Sequence, residues 1–493
     1  MAEAGPALPL RARLVSTARG LFMLAIVGGW VALAHRFDWV TEDARAVLML
    51  GVLFIAGTTA GQVAAMVRLP RLTGYLAAGI TVGPHVLGVV DTHDVHTLSV
   101  VNALALALIA LDAGAELTVD ILRRGLKSLL WQCIAQSVVI VVLAAAIFTA
   151  LVASGLLDLG QDFDMVTLVA LAGVWGVLAT SKSPAVMLAV LQETRAKGQV
   201  AELALGVVIL FDIFVLVLFA VAIMFAEAML IPGREVSLDA MSALGLELFA
   251  SVAAGTTFGL VVAAFFWITD KDRLLFLVAL GYGVSAFCQY FHYDTLLVFA
   301  VAGFVVVNLT KQGEAMITSV RRLSTPIMVV FFATAGAHLD LALLATAWPL
   351  ALLFAGTRAA LTVFASKLGS AVAGDPPVVR RWLFTSFISQ AGVTIGLSAL
   401  VAERLPGIGE TIATLSIAVV GINELVGPVI AKLGLVRGEA EEASAKAASA
   451  PSDDDKSGPT DPSKPNGPES KTPTSDMGKA TRRTTPSHGV RTS

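Results

Sequence analysis

The segment from Gly173 to Ala220 contains two long apolar runs joined by the short basic connection 193–198. Each run is long enough to cross a membrane as a helix, and each contains a feature that is costly there. The first is interrupted at 180–184 by Thr-Ser-Lys-Ser-Pro, where proline removes a backbone donor and disfavours helix in the preceding residue. The second contains the lone carboxylate Asp212. An ionised side chain near the bilayer centre costs roughly 3 kcal/mol, so these interruptions predict a functional site.

The composition extends this pattern over most of the chain. Of its 493 residues, 56% are hydrophobic and only 14% are charged, and the mean hydropathy is +0.80. These values predict an all-α polytopic membrane protein in a lipid bilayer. The apolar runs indicate about fourteen spans, at roughly 21–36, 45–66, 71–90, 97–116, 127–155, 165–192, 200–226, 240–268, 273–290, 295–310, 321–343, 345–366, 381–402 and 411–434.

The loops between the runs alternate in charge, which predicts the orientation. One set carries most of the Lys and Arg residues, and the other is poor in them and includes the acidic stretches 91–94 and 162–164. The positive-inside rule places the basic set in the cytoplasm, so an even number of spans places both termini there, in a plasma-membrane protein. The first run follows Arg11, Arg13 and Arg19 and also has features of a cleaved signal peptide, although a retained helix is our expectation.

Three regions follow from this organisation: a cytoplasmic N-terminal segment 1–20, a transmembrane domain 21–436 and a cytoplasmic tail 437–493. The tail is rich in Ser, Pro, Lys and Asp, so we expect it to be disordered. The sequence predicts no cofactor, since no glycine-rich nucleotide motif follows a strand. It predicts no nucleic-acid partner, no metal centre and no enzyme, because no nucleophile, base or ligand set has the required spacing.

An internal repeat is visible in the sequence. Ala113-Gly114-Ala115 matches Ala335-Gly336-Ala337, the segment 74–79 is similar to 298–303, and the interruption at 181–184 has a counterpart at 389–392. The matches occur in the same order in both halves. The second span runs inward across the membrane and the ninth runs outward, so the two halves have opposite orientations. The sequence therefore predicts inverted repeats with two crossing broken helices, the architecture of secondary transporters with a site near the midplane.

The candidate site follows from the polar residues inside these spans. We predict Lys182 and Arg358 as charge partners of Asp212, although Lys182 could instead reach the cytoplasmic face and Arg358 could serve a structural ion pair. A buried carboxylate can be neutralised by a proton or by a monovalent cation, so the two compete. Oxygen ligands suit Na+ or K+. The predicted ion-binding residues are Asp212, Thr180, Ser181, Ser183, Ser389 and Gln390.

Taken together, these segments resemble a known family over about residues 45–435. The family is the monovalent cation:proton antiporter superfamily, in its second, Kef-like and sodium/proton-exchanger branch. The resemblance rests on the segments 69–79 and 83–84, the break at 179–181, the helices of Asp212 and Arg358, and the segment 389–393.

The resemblance implies a core domain with two crossing broken helices that moves against a dimerisation domain, and hence a homodimer. It implies that Asp212 is the ion-binding carboxylate, that Arg358 is the basic residue of its helix, and that 180–183 and 390–394 are unwound. One position departs from the family. Relatives often have a polar residue before the aspartate, whereas this chain has Phe211, which leaves Lys182 as a possible substitute.

The predicted function is antiport of Na+ or K+ against protons through an alternating-access cycle. We expect electroneutral exchange with Lys182 protonated throughout; if Lys182 releases its proton, two protons move per cation. The alternatives are a sodium- or proton-coupled symporter on the same fold, a gated cation channel, and a transporter-derived sensor. The small-residue face Gly255-xxx-Gly259 in the span 240–268 predicts a place in the dimer scaffold.

Overall fold

The computed structural model describes residues 42–159, 163–231, 238–291, 293–339, 341–390 and 392–448, with a few positions between 18 and 29. The helices are α1 (Glu42–Met66), α2 (Arg71–Val82), α3 (Thr92–Thr97), α4 (Ser99–Glu116), α5 (Val119–Ala153), α6 (Met165–Thr180), α7 (Pro184–Thr194), α8 (Gln199–Leu230), α9 (Leu238–Ile268), α10 (Arg273–Phe291), α11 (Thr295–Leu309), α12 (Gly313–Ala337), α13 (Leu341–Ala373), α14 (Pro377–Trp382), the 3-10 helix Leu383–Phe387, α15 (Gly392–Arg404) and α16 (Gly409–Ala448).

The helices match the predicted spans from the second onwards. In the described part of the chain, nine helical segments are long and apolar enough to cross a membrane, and α11 is a shorter apolar helix. The all-α polytopic architecture is therefore confirmed. Most of the predicted first span, 21–36, and of the N-terminal segment 1–20 lies outside the described residues.

Two helices are broken where the sequence predicts interruptions. α6 ends at Thr180 and α7 begins at Pro184, whose missing N–H is harmless in the first turn. The Ser183 hydroxyl accepts a hydrogen bond from the Val186 N–H and so caps α7. The second break follows the 3-10 helix, which ends at Phe387, and α15 begins at Gly392. Each break exposes backbone groups that an uninterrupted helix would satisfy.

The helices form two groups. The broken-helix bundle consists of α5 to α8 and α13 to α16, and the scaffold bundle consists of α1, α2, α4 and α9 to α12. Within the broken-helix bundle, Gly427 and Gly434 bring α16 against Ser389 and Thr385 of the second broken unit. The two bundles meet mainly where α7 and α8 pack on α4, α2 and α9.

Glycines at two helix crossings confirm the inverted repeat. Gly79 of α2 lies against the Ala333 carbonyl of α12, and Gly303 of α11 lies against the Leu111 carbonyl of α4. A Cβ at either glycine would overlap that carbonyl, so only glycine permits the approach. The sequence repeat aligns Gly79 with Gly303 and Leu111 with Ala333. The crossing of α2 with α12 is therefore the counterpart of the crossing of α11 with α4, with the two repeats exchanged.

The glycine face of α9 makes the close helix approach predicted for it. Gly255 packs against the Val298 carbonyl and Gly259 against the Ala302 carbonyl, both on α11 of the same chain. The partner of this face is therefore a helix of the same scaffold bundle. A place of that bundle in a homodimer stays a prediction.

The last helix extends beyond the boundary predicted at 437. α16 continues to Ala448, so residues 437–448, predicted to be disordered, are helical. The Glu442 carboxylate accepts hydrogen bonds from the Gln199 and Val200 N–H groups, at 2.9 and 3.2 Å. Glu441 accepts from Arg381 and Trp382. These contacts hold the extension against the bundle; residues from 449 onwards lie outside the described part.

The Glu442 contact predicts a stability effect. Glu442→Ala removes a carboxylate from the N-terminus of α8 and leaves two N–H groups without it, so we expect a loss of about 1–2 kcal/mol in the free energy of unfolding. Denaturant unfolding of the purified protein in detergent measures it. Glu403→Ala, at an exposed glutamate of α15, is the control. Equal effects of the two substitutions would contradict the capping role.

Candidate ion-binding site

A cavity of about 150 Å³ lies between the two bundles. The broken-helix bundle contributes Lys182, Ser183 and Asp212, and the scaffold bundle contributes residues of α4 and α11. The remaining lining is mostly apolar, including Ile109, Ala113, Leu117, Ile209, Leu216, Ala300 and Phe304. Apart from the three polar residues and Asp294, described below, the walls offer little to solvate a charge.

The direction of the cavity follows from the pairing of α4 with α11. Asn308, near the end of α11, accepts from the Val119 N–H and donates to the Leu117 carbonyl, near the end of α4. The two helices are therefore parallel and end together, beside Arg123 near the start of α5 and Lys311 just after α11. We call this end the basic side. Because Leu117 and Phe304 line the cavity, it extends from Asp212 toward the basic side.

Asp212 lies on α8 at the wall of this cavity. It is about 20 Å along the helix from Gln199, at about 1.5 Å per residue. Its side chain is partly accessible and makes no hydrogen bond or ion pair with any other described residue. A carboxylate in such surroundings is stable when a proton or a cation neutralises it. In this arrangement the Asp212 carboxylate can bind either a proton or a cation.

Lys182 follows the first break and is 1% exposed. Its ammonium donates to the Thr180 carbonyl at 2.9 Å and lies 3.3 Å from the centroid of the Phe211 ring. A cation over an aromatic face is electrostatically stabilised. No Lys182–Asp212 ion pair is present among the described contacts, so Lys182 does not meet Asp212 directly as a charge partner. Phe211, the departure from the family pattern, provides the face on which Lys182 rests.

Arg358 on α13 connects the two breaks. Its guanidinium donates to the carbonyls of Ala179 (2.8 Å) and Ser181 (2.6 Å) in the first, and of Ile388 (2.6 Å) and Phe387 (3.2 Å) in the second. The prediction that it pairs with Asp212 is not what the contacts show. Its donors are directed at carbonyls that the breaks release, and a planar guanidinium can reach several at once.

The other predicted ligands lie around the crossing of the breaks rather than in the cavity. Gln390 donates to the Leu178 carbonyl at 3.0 Å and accepts from Asn423 at 2.8 Å. The Thr180 hydroxyl donates to the Val177 carbonyl. The hydroxyls of Ser181 and Ser389 are buried and have no partner in the described structure. Of the six predicted ion-binding residues, Asp212 and Ser183 line the cavity.

Asp294 also lines the cavity and was missed in the sequence. It precedes an apolar run and so looks like a residue of an exposed loop. However, α11 has only 15 residues and is about 22 Å long. Asp294, at its first turn, therefore lies at about the depth of Asp212. The short helix is the only sequence signal that would have indicated this position.

Glu424 is a second buried carboxyl that was missed. It is 2% exposed and has no hydrogen bond or ion pair within the described chain. Glu424 lies on α16, the last span of the second repeat, as Asp212 lies on α8, the last span of the first. A comparison of the two repeats helix by helix would have found it. Without a cavity or a cation beside it, this carboxyl is stable in its neutral form.

The fold and the cavity define a class of protein. Inverted repeats, two crossing broken helices and an unpartnered carboxylate between two bundles are features of a secondary transporter. The model of the transmembrane sodium/hydrogen exchanger family matches residues 19–433. The chain belongs to this family, which confirms its place in the cation:proton antiporter superfamily and makes it a cation/proton antiporter. The family is one of transporters and not an enzyme class.

Solved structures agree with this assignment at the level of the fold. The chain is similar to the sodium proton antiporter MjNhaP1 from Methanocaldococcus jannaschii at pH 8, with a TM-score of 0.61, 15% identity, and coverage of 83% of this chain and 99% of that one. An electron-microscopy structure of the same antiporter gives a TM-score of 0.62, 16% identity, and coverage of 83% and 98%. A search of curated protein sequences found no match.

Proposed function

We propose that this protein exchanges Na+ or K+ for protons, with Asp212 binding either the cation or the proton. The observation that carries the proposal is the position of Asp212, which has no partner among the described residues and faces a cavity between two bundles. One carboxylate cannot be neutralised by both at once. Binding of one therefore displaces the other, and alternating access converts this competition into exchange.

The contacts around the breaks support a rigid carrier. Arg358 binds carbonyls of both broken units, and Gln390 of the second unit binds the Leu178 carbonyl of the first. These units and Asp212 can therefore move together. The cavity separates them from α4 and α11. Sliding of the broken-helix bundle along this boundary, an elevator motion, would carry Asp212 from one side of the membrane to the other. A gradient of one pH unit supplies about 1.4 kcal/mol per proton, enough for a tenfold opposing cation gradient.

The lining of the cavity favours antiport over symport. Its polar groups, Lys182, Ser183, Asp212 and Asp294, suit an ion and a few waters rather than an organic solute. A channel would need a continuous polar path, whereas apolar residues of α4, α8 and α11 surround this cavity. We further propose a plasma-membrane homodimer with the basic side in the cytoplasm.

The test is transport by the purified protein in liposomes that contain a pH-sensitive dye. We expect Na+ or K+ added outside an acid-loaded vesicle to move protons out, and choline to have no effect. Trials with Na+, K+ and Li+ identify the cation. Cation uptake without proton movement would overturn the proposal, and uptake that requires a co-transported solute would favour symport.

A further inference from the structure

We propose that Asp294 is a second cation-binding carboxylate, contributed by the scaffold bundle, so that the cation is held between the bundles in the conformation seen here. The inference rests on the proposed function and adds a residue to the same site. Asp294 and Asp212 line one cavity from opposite bundles at about equal depth.

Capping of a helix does not account for the whole Asp294 side chain. Its Oδ1 accepts from the Leu297 N–H at 2.6 Å and so caps α11. Its own N–H donates to the Ser251 hydroxyl. The Leu296 and Leu297 N–H groups of the first turn of α11 both face the carboxylate, and the side chain is only partly buried. A carboxylate offers about four lone-pair sites, so acceptor capacity is left for a ligand in the cavity.

The charge balance of the cavity indicates what Asp294 adds. The charged groups of its lining are Lys182, Asp212 and Asp294. With Lys182 protonated, Asp212 alone would give a cavity of zero net charge, which offers a cation no net attraction. Asp294 brings the total to one negative charge, so a single monovalent cation makes the cavity neutral. Arg358 keeps its charge when bound to neutral carbonyls, but it lies at the breaks, outside the lining for which this balance is made.

The two carboxylates lie on different bundles, and this gives the site a sidedness. If the broken-helix bundle moves, Asp212 and Lys182 move with it, whereas Asp294 stays with α11. The cation is then bound by two carboxylates when the site faces the basic side and by Asp212 when it faces the other. Binding from the basic side is therefore the tighter, and Asp294 is the cause of the difference.

Asp294→Asn tests this inference, because asparagine caps helices as well as aspartate does and removes only the charge. The half-saturating Na+ and K+ concentrations are measured in vesicles of known orientation, with the cation added on one side and then on the other. We expect the variant to need about tenfold more cation on the basic side, the effect of losing one nearby charge. On the opposite side we expect its half-saturating concentration to match that of the wild type, because Asp294 does not contact the cation there.

The control is Asp164→Asn, at the exposed aspartate that caps α6, which should change neither value. Asp294→Ser also keeps a capping residue, and serves if the asparagine variant folds poorly. Unchanged half-saturation on both sides overturns the role of Asp294, and equal weakening on both sides overturns its dependence on conformation. Failure of the proposed function is a separate result, since the wild-type protein would then show no exchange.

Discussion

Asp212→Asn is expected to abolish cation-driven proton movement, to the background of empty liposomes, while the protein stays folded. Asparagine has nearly the same shape as aspartate but cannot release a proton or supply a negative charge. Because Asp212 makes no hydrogen bond or ion pair with other described residues, its replacement leaves no partner unsatisfied. Dye-based exchange assays and size-exclusion profiles of the purified variant measure the two parts of the expectation.

Glu424→Gln is the matched control for this experiment. Glu424 lies on the corresponding helix of the second repeat, but it is enclosed, with 2% of its surface exposed. Since its carboxyl is stable in the neutral form, an amide replaces it with little change, and we expect exchange rates within about twofold of the wild type. Exchange at the wild-type rate by Asp212→Asn would refute the shared-carboxylate mechanism. Loss of exchange in Glu424→Gln alone would assign the proton site to the other repeat.

Arg358→Met is expected to be among the most destabilising single substitutions in the described chain. It removes the guanidinium that donates four hydrogen bonds. The buried carbonyls at both breaks then lose this hydrogen-bond donor. At about 1–3 kcal/mol for each unsatisfied group, the expected loss is at least about 4 kcal/mol. We expect the apparent melting midpoint in detergent to fall by more than about 5 °C and transport to be lost with it.

Two further variants separate the geometry of Arg358 from its charge. Arg358→Lys keeps the charge but cannot reproduce the planar fork, so it should recover only part of the stability. Arg321→Met removes an arginine from an exposed ion pair with Glu116, which is worth at most about 1 kcal/mol. If Arg358→Lys is as stable as the wild type, the positive charge of Arg358, and not the planar shape of its guanidinium, stabilises the two broken helices. If Arg358→Met is no worse than Arg321→Met, the bridging role is wrong.

The sequence predicts what depends on local chemistry. Proline at 184 and the flanking hydroxyls predict the first break, because backbone donors and caps act within a few residues. The apolar flanks of Asp212 predict its depth. The repeated glycines predict the crossings of α2 with α12 and of α4 with α11, since both partners carry the same motif.

The sequence fails where a contact joins distant segments. The sequence predicts that Arg358 lies near the site. It does not predict that Arg358 binds backbone carbonyls instead of the Asp212 carboxylate, because those carbonyls are free only where both helices break. The position of Asp294 depends on α11 being shorter than its neighbours. The glycines of α9 predict a close contact but not whether its partner is another chain or α11. Each of these outcomes is decided by packing, which a periodic pattern does not contain.

The glycine crossings of the scaffold bundle bear on how force passes through the molecule. At Gly79 and Gly303, backbone meets backbone, so no side chain can change rotamer to absorb a displacement. These joints are stiff, and strain entering the scaffold at one helix must be passed on to the next. The boundary around the cavity has side chains and empty volume instead. Under lateral membrane tension we expect the boundary to yield before the joints, so bilayer thickness and tension would tune the exchange rate.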